Sequence, residues 1–233
     1  MRKLFLVAVL AFLLIGCEKD TAVIATEEAE VTTTEVTVMT EAPLPPSVSP
    51  LASEHFLEPF DDYSWEREFD AEYVMIHFTS AVMLSRDDPY NIETVRKIFE
   101  DGGISIHYLI DRDGSIYCYM PETRAAWHAG KGTLADDERL TNKMNKYSVG
   151  IELLAIGSEN DMAQYLSKEE YRLLDDSLIG YTDAQYESLA KLVNDVCERN
   201  SIPFDRDHII GHEEYNPQKS DPGELFDWER LVK

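Results

Sequence analysis

Residues 208–228 read HIIGHEEYNPQKSDPGELFDW. Ile209 and Ile210 are β-branched and run into Gly211, the pattern of a buried strand that breaks at the glycine. His212 then leaves the strand on backbone made supple by Gly211, which suits a ligand that must point into a cleft. Pro217 and the Asp221-Pro222-Gly223 turn hold the next segment out of regular structure, so Lys219 and Asp221 sit on a rigid loop. A neutral imidazole and a carboxylate held close together are two of the three protein ligands of an open zinc site. The third must come from elsewhere in the chain, and His77 is the candidate.

The sequence around this stretch supplies a sheet for it. Tyr73–Thr79 (YVMIHFT) is rich in β-formers and bounded by acidic and Ser/Thr residues. Ser148–Leu154 (SVGIELL) is another buried strand, with Glu152 embedded in it. Residues 105–110 and 116–120 flank Asp111-Arg112-Asp113-Gly114 and form a hairpin, Gly114 supplying the positive φ of its turn. Residues 91–101 form a short helix with Ile92, Val95, Ile98 and Phe99 on one face, closed by Gly102 and Gly103. Thr182 and Gln185 make a capping box for a longer helix. Its Tyr186, Leu189, Ala190, Val193, Val196 and Cys197 recur at helical spacing and should cover the sheet. A further helix is expected over 166–179, a short one around 226–231, and a loop over 126–130. The fold class is therefore α/β: a single domain with a central mixed β-sheet flanked by helices on both faces.

Charge and the N-terminus constrain where the chain works. Asp and Glu number 45 against 21 Lys and Arg, a net charge of −24. A phosphate-binding face needs a basic patch, so nucleic acid is excluded as a partner. Arg2 and Lys3 precede an apolar run from Leu4 to Ile15. That run is shorter than the roughly 20 residues needed to span a bilayer, and it reads as an export signal. Leu14-Ile15-Gly16-Cys17 resembles a bacterial lipoprotein lipobox. The resemblance implies cleavage after residue 16, acylation of Cys17 and tethering to a membrane surface in the cell envelope. Glu18 after the cysteine implies sorting to the outer membrane, facing the periplasm, in a host that has one. Residues 17–55 are rich in Thr, Glu, Ala, Val and Pro and read as an extended linker. The folded domain is expected over 56–233. Cys118 and Cys197 occupy positions suited to small buried apolar residues and are not expected to pair.

A carboxylate inside an apolar strand, as Glu152 is, costs several kcal/mol unless it is paired or has a task. Beside an activated water its task is that of a general base. Lys219, two residues before Asp221, places an ammonium where it can meet an oxyanion. His107 and His128 are metal-ligand candidates as good as His77 by composition, and spacing does not choose between them.

Five blocks taken in order are more specific: MIHFT, SIHYLIDRDGSIY, AWHAG, SVGIELL and GHEEYNPQKSDPGELFDW. Together they resemble the type 2 N-acetylmuramoyl-L-alanine amidases, the AmpD/AmiD-type zinc amidases related to peptidoglycan recognition proteins. The resemblance implies one Zn²⁺ on His77, His212 and Asp221, with Glu152 and Lys219 as the catalytic carboxylate and ammonium. It further implies that Trp127 and His128 line the substrate groove and that His107 supports the site from a neighbouring strand. The reaction implied is hydrolysis of the amide between N-acetylmuramic acid and L-alanine in peptidoglycan or muropeptides. The alternative is a non-catalytic peptidoglycan-binding lipoprotein. No protein partner is expected.

Overall fold

The computed structural model describes residues 48–55, 60–135 and 137–232. The export signal, Cys17 and the linker up to residue 47 lie outside the described residues. In chain order the strands are β1 (Glu54–His55), β2 (Ser64–Glu66), β3 (Tyr73–Thr79), β4 (Tyr108–Ile110), β5 (Ile116–Cys118), β6 (Arg124–Ala126), β7 (Ser148–Leu154) and β8 (Ile209–Gly211). The α-helices are α1 (Ile92–Gly102), α2 (Lys168–Tyr171), α3 (Asp183–Asn200) and α4 (His212–Tyr215). Six strands form one sheet in the order β1-β5-β4-β7-β3-β8. Strands β4, β7, β3 and β8 run parallel, whereas β5 is antiparallel to β4 and carries β1 alongside it. The sheet is mixed and flanked by helices, as the sequence predicts.

The two-residue period of the strands sorts their side chains onto two faces. Val74, Ile76, Val149, Ile151, Leu153 and Ile209 face α3 and pack on its Tyr186, Leu189, Leu192, Val193 and Val196. Full burial of each aliphatic side chain there contributes about 1.5–3 kcal/mol. Helix α3 starts at Thr182, whose hydroxyl accepts from the Gln185 N–H while the Gln185 side chain returns the bond. It is the expected capping box. The opposite face carries Leu109 and Leu154 against Val95 and Phe99 of α1. His77 and Glu152 fall on that same face, one residue out of phase with Ile76 and Ile151. Helix α1 is closed by Gly103 at φ 62°, as expected, while Asn91, read as its first residue, caps it with its side chain.

Other expectations are revised. Residues 48–55, read as the end of the linker, belong to the folded unit. The Ser49 N–H donates to the Tyr108 hydroxyl (2.8 Å), and Glu54 and His55 pair with Tyr117 and Cys118. The helix expected over 166–179 reduces to α2 and a 3-10 turn over Asp176–Leu178. Its cause is local: the Asp175 carboxylate accepts from the Ser177 N–H and starts a new turn in place of helix continuation. The C-terminal helix is likewise one 3-10 turn, Trp228–Arg230. A two-stranded sheet, β2 with β6, was not anticipated, and it takes Ala126 out of the expected loop. Cys118 and Cys197 are buried free thiols.

Candidate functional site

Parallel strands present their carboxyl ends together, and that edge is where ligands bind in open α/β sheets. In the register of β3 and β7, His77 lies opposite Glu152. In the register of β3 and β8, Ile76 lies opposite Gly211, so His212 emerges one step beyond the sheet beside His77. His212 opens α4, and the Glu213 N–H donates to the Asp221 carbonyl (3.0 Å), folding the 216–221 loop back over the same edge. Residue 211 does not need a glycine's positive φ, and only the tip of a flexible side chain crowds it. Its backbone is extended at φ −87°, and a Cβ there would lie 2.4 Å from the Glu213 carboxylate. Behind the loop, the Ser220 hydroxyl donates to the Asp161 carbonyl (3.1 Å) and the Tyr181 hydroxyl to the Pro222 carbonyl (2.6 Å).

Three ligand-type atoms converge at this edge. His77 Nδ1 lies 2.7 Å from Asp221 Oδ2 and 3.1 Å from His212 Nδ1, and His212 Nδ1 lies 2.9 Å from Asp221 Oδ2. Among the described residues these three form the group able to hold a metal ion. His212 Nε2 is 3.0 Å from the Ala129 carbonyl, which can only accept, so the ring proton sits on Nε2 and the Nδ1 lone pair faces the cluster. A carboxylate and an imidazole lone pair held in contact repel one another unless a cation lies between them. The donor set, two imidazoles and one carboxylate, is that of an open zinc site. Burial pushes the Asp221 carboxyl up, but the adjoining His212 and His77 rings outweigh this and hold it well below the usual carboxylate range. Burial depresses His77 to about 4, against the pull of the nearby Asp221 carboxylate. The ring is therefore neutral at physiological pH, the form a metal needs.

Glu152 is buried beside this cluster, and its Oε2 has no hydrogen-bond partner among the described residues. Burial first, and the Asp221 charge second, push its pKa well above the ordinary value, with Lys219 opposing them. The Lys219 side chain is exposed on the loop and borders a groove of about 440 Å³ together with His212, Trp127, Trp65 and Ile104. Trp65, from β2, lies against Trp127 with ring centroids 5.0 Å apart, giving the groove an aromatic wall.

The remaining histidines are placed differently from one another. His128 reaches the groove floor but is buried, its Nδ1 2.9 Å from His77 Nε2 and its Nε2 3.1 Å from the Ser148 hydroxyl. His107 accepts the Gly150 N–H on Nδ1 (3.0 Å) and donates from Nε2 to the Arg124 carbonyl (3.0 Å). It supports β7 and does not reach the cluster. Burial, then the Arg67 charge, lowers it to about 3. Trp65 and Ser148 are not sequence candidates, and neither are Arg67, Asn145 and Gly150. Arg67 donates to the carbonyls of Glu122, Lys146, Arg124 and Ser148 and pins β6 to β7. Asn145 accepts the N–H groups of both His128 and Ala129. Gly150 alone carried a signal, since a glycine inside a strand marks a close approach.

Comparison with known proteins gives a consistent result. A family profile described as N-acetylmuramoyl-L-alanine amidase matches residues 67–224. The chain is 35% identical over 129 residues to the 1,6-anhydro-N-acetylmuramyl-L-alanine amidase AmpD of Salmonella typhimurium LT2, a match covering 55% of each protein. It is 30% identical over 141 residues to the N-acetylmuramoyl-L-alanine amidase AmiD of Escherichia coli K12, covering 57% of this chain and 45% of that one. The chain thus spans about half the length of the curated relatives it matches. A crystal structure of a selenomethionine AmpD derivative superposes with a TM-score of 0.56 at 26% identity, covering 82% of this chain and 99% of that one. The E. coli AmiD complex with anhydro-N-acetylmuramic acid-L-Ala-D-γ-Glu-L-Lys superposes with a TM-score of 0.51 at 26% identity, covering 72% and 57%.

Proposed function

The chain belongs to the N-acetylmuramoyl-L-alanine amidase family, and on that premise we propose that it is a zinc amidase. Its substrate in this reading is the amide joining the lactyl group of N-acetylmuramic acid to the L-alanine of a peptidoglycan stem peptide. The observation that carries the reading is the convergence of His77 Nδ1, His212 Nδ1 and Asp221 Oδ2 within 3.1 Å, beside a buried carboxylate with an unpartnered oxygen. Relatives whose names specify anhydro-muramyl substrates support muropeptides as the substrate class.

His77, His212 and Asp221 would hold the zinc. When bound, it supplies Lewis acidity for the scissile carbonyl and makes water acidic enough to deprotonate near neutral pH. Glu152 takes the proton of the attacking water on its free Oε2 and returns it to the leaving alanine nitrogen. Its burial raises its affinity for that proton, which makes the ionised carboxylate a stronger base. Lys219, at the rim of the groove, sets its ammonium against the negative charge that grows on the carbonyl oxygen. Trp65 and Trp127 form a wall against which a sugar ring can lie, which fixes the amide relative to Glu152.

The cellular setting is proposed in the same reading. Export, cleavage after residue 16 and acylation of Cys17 would hold the enzyme at a membrane surface facing the wall. Mass spectrometry of the mature N-terminus tests this, because an unmodified Cys17 contradicts it.

Digestion of purified sacculi and muropeptides, read by mass spectrometry, tests the reaction itself. Free stem peptides are expected. Cut stem peptides would make the protein a peptidase. Intact material that still co-sediments with the protein would make it the non-catalytic binding lipoprotein.

A further inference from the structure

We infer that His128 and Ser148 form a relay that fixes the tautomer of His77, so that His77 meets the metal with its Nδ1 lone pair; this rests on the metal reading above. The Met144 carbonyl lies 2.8 Å from Ser148 Oγ and can only accept. A hydroxyl has one proton, so toward His128 Nε2, 3.1 Å away, Ser148 must accept. The His128 proton is then on Nε2, which leaves Nδ1 as the acceptor of the neutral ring. His77 Nε2 lies 2.9 Å from that lone pair and donates to it. His77 Nδ1 is left unprotonated, pointing at His212 Nδ1 and Asp221 Oδ2.

Reversing the relay would set two lone pairs against each other at Ser148, or cost its bond to the Met144 carbonyl. The backbone is built around this path. A Cβ on residue 150 would lie 2.6 Å from His128 Cγ and 2.7 Å from its Nδ1, so β7 admits the ring only because that residue is glycine. Asn145 Oδ1 holds the main chain at His128 and Ala129 through two N–H bonds of 3.1 and 2.7 Å. The two metal histidines thus receive their tautomers from different sources: His212 from a carbonyl and His77 through this relay. Both nitrogens of His128 are occupied, which makes it a positioning residue and not a reserve ligand.

The test uses the full chain with two readouts. Ring ¹⁵N spectra should show Nε2–H at His128 with and without zinc, and Nε2–H at His77 in the zinc-loaded protein; Nδ1–H at His128 overturns the relay. Zinc affinity by chelator competition should fall about 10–100-fold in His128→Phe, the usual effect of losing such a support. His128→Asn, whose Oδ1 stands where Nδ1 stood, should stay within a few-fold of the parent. Equal affinity of the parent and His128→Phe overturns the relay, as does equal loss in the Phe and Asn variants. If His128→Phe fails to fold, Ser148→Ala carries the test, and an unchanged His128 ring spectrum there is the contrary result. A parent chain that takes up no zinc would refute the metal reading instead, while the metal-free spectrum still decides the relay.

Discussion

Replacing Glu152 by glutamine separates the chemistry of the site from its construction. The substitution keeps the shape of a buried side chain level with His77 on the neighbouring strand. It removes the one group there able to take a proton from water. A positioned general base contributes roughly 10²–10⁴-fold, so turnover should fall by that factor, about 3–5 kcal/mol in the barrier. Stability should move the other way or not at all. Burial and the Asp221 charge both disfavour the ionised Glu152, and a neutral amide ends that repulsion. A gain of about 1 kcal/mol would raise the melting temperature by about 2–4 °C in a domain of this size. The assay is release of stem peptide from a defined muropeptide, run beside zinc analysis and thermal unfolding of the same preparations. Lost turnover with one zinc per chain and an unchanged or higher melting temperature is expected. Turnover within tenfold of the parent would remove Glu152 from the mechanism.

Asp221→Ala should leave the fold intact and abolish stoichiometric zinc after dialysis, and full occupancy by elemental analysis would contradict its role. Lys219→Met should lower kcat by about 10–100-fold, less than a fully buried oxyanion donor would because the side chain is exposed; an effect on KM alone would make it a binding residue. Arg67→Met should destabilise the protein by about 3–5 kcal/mol in urea unfolding, since it strands the carbonyls of Glu122, Lys146, Arg124 and Ser148; a change under about 1 kcal/mol would refute that account. Burial pushes the thiols of Cys118 and Cys197 up to about 12. Both should therefore stay protonated and unlabelled by iodoacetamide at pH 8 in the native state and react in urea, as peptide mapping would show.

The sequence makes the strands of the site legible and leaves much of their surroundings unread. β3, β7 and β8 announce themselves by β-branched runs, and α3 by its capping box, because these are local preferences. Asp221 and Lys219 follow from turn chemistry around Pro217 and Pro222. The selection of His77 over His107 and His128 does not follow from spacing. It depends on register: His77 is level with Glu152, whereas the other two rings are bonded to Gly150 and Ser148. Strands β1, β2 and β6 are two or three residues long, too short to show a period. Their pairings are set by tertiary contacts such as Ser49 with Tyr108. The helix expected over 166–179 fails because a single aspartate offers the backbone a competing bond. Gly211 is extended at φ −87°, so the suppleness read from it is not what carries His212 into the site.

The account rests on one cation shared by two imidazoles and one carboxylate with a position left open for water. An anomalous difference map recorded at the zinc edge from crystals of the zinc-loaded protein tests it directly. One peak is expected, roughly 2.0–2.2 Å from His77 Nδ1, His212 Nδ1 and an Asp221 carboxylate oxygen, with no fourth protein ligand. A peak coordinated by His107 or His128, or one closed by a fourth side chain, would contradict it.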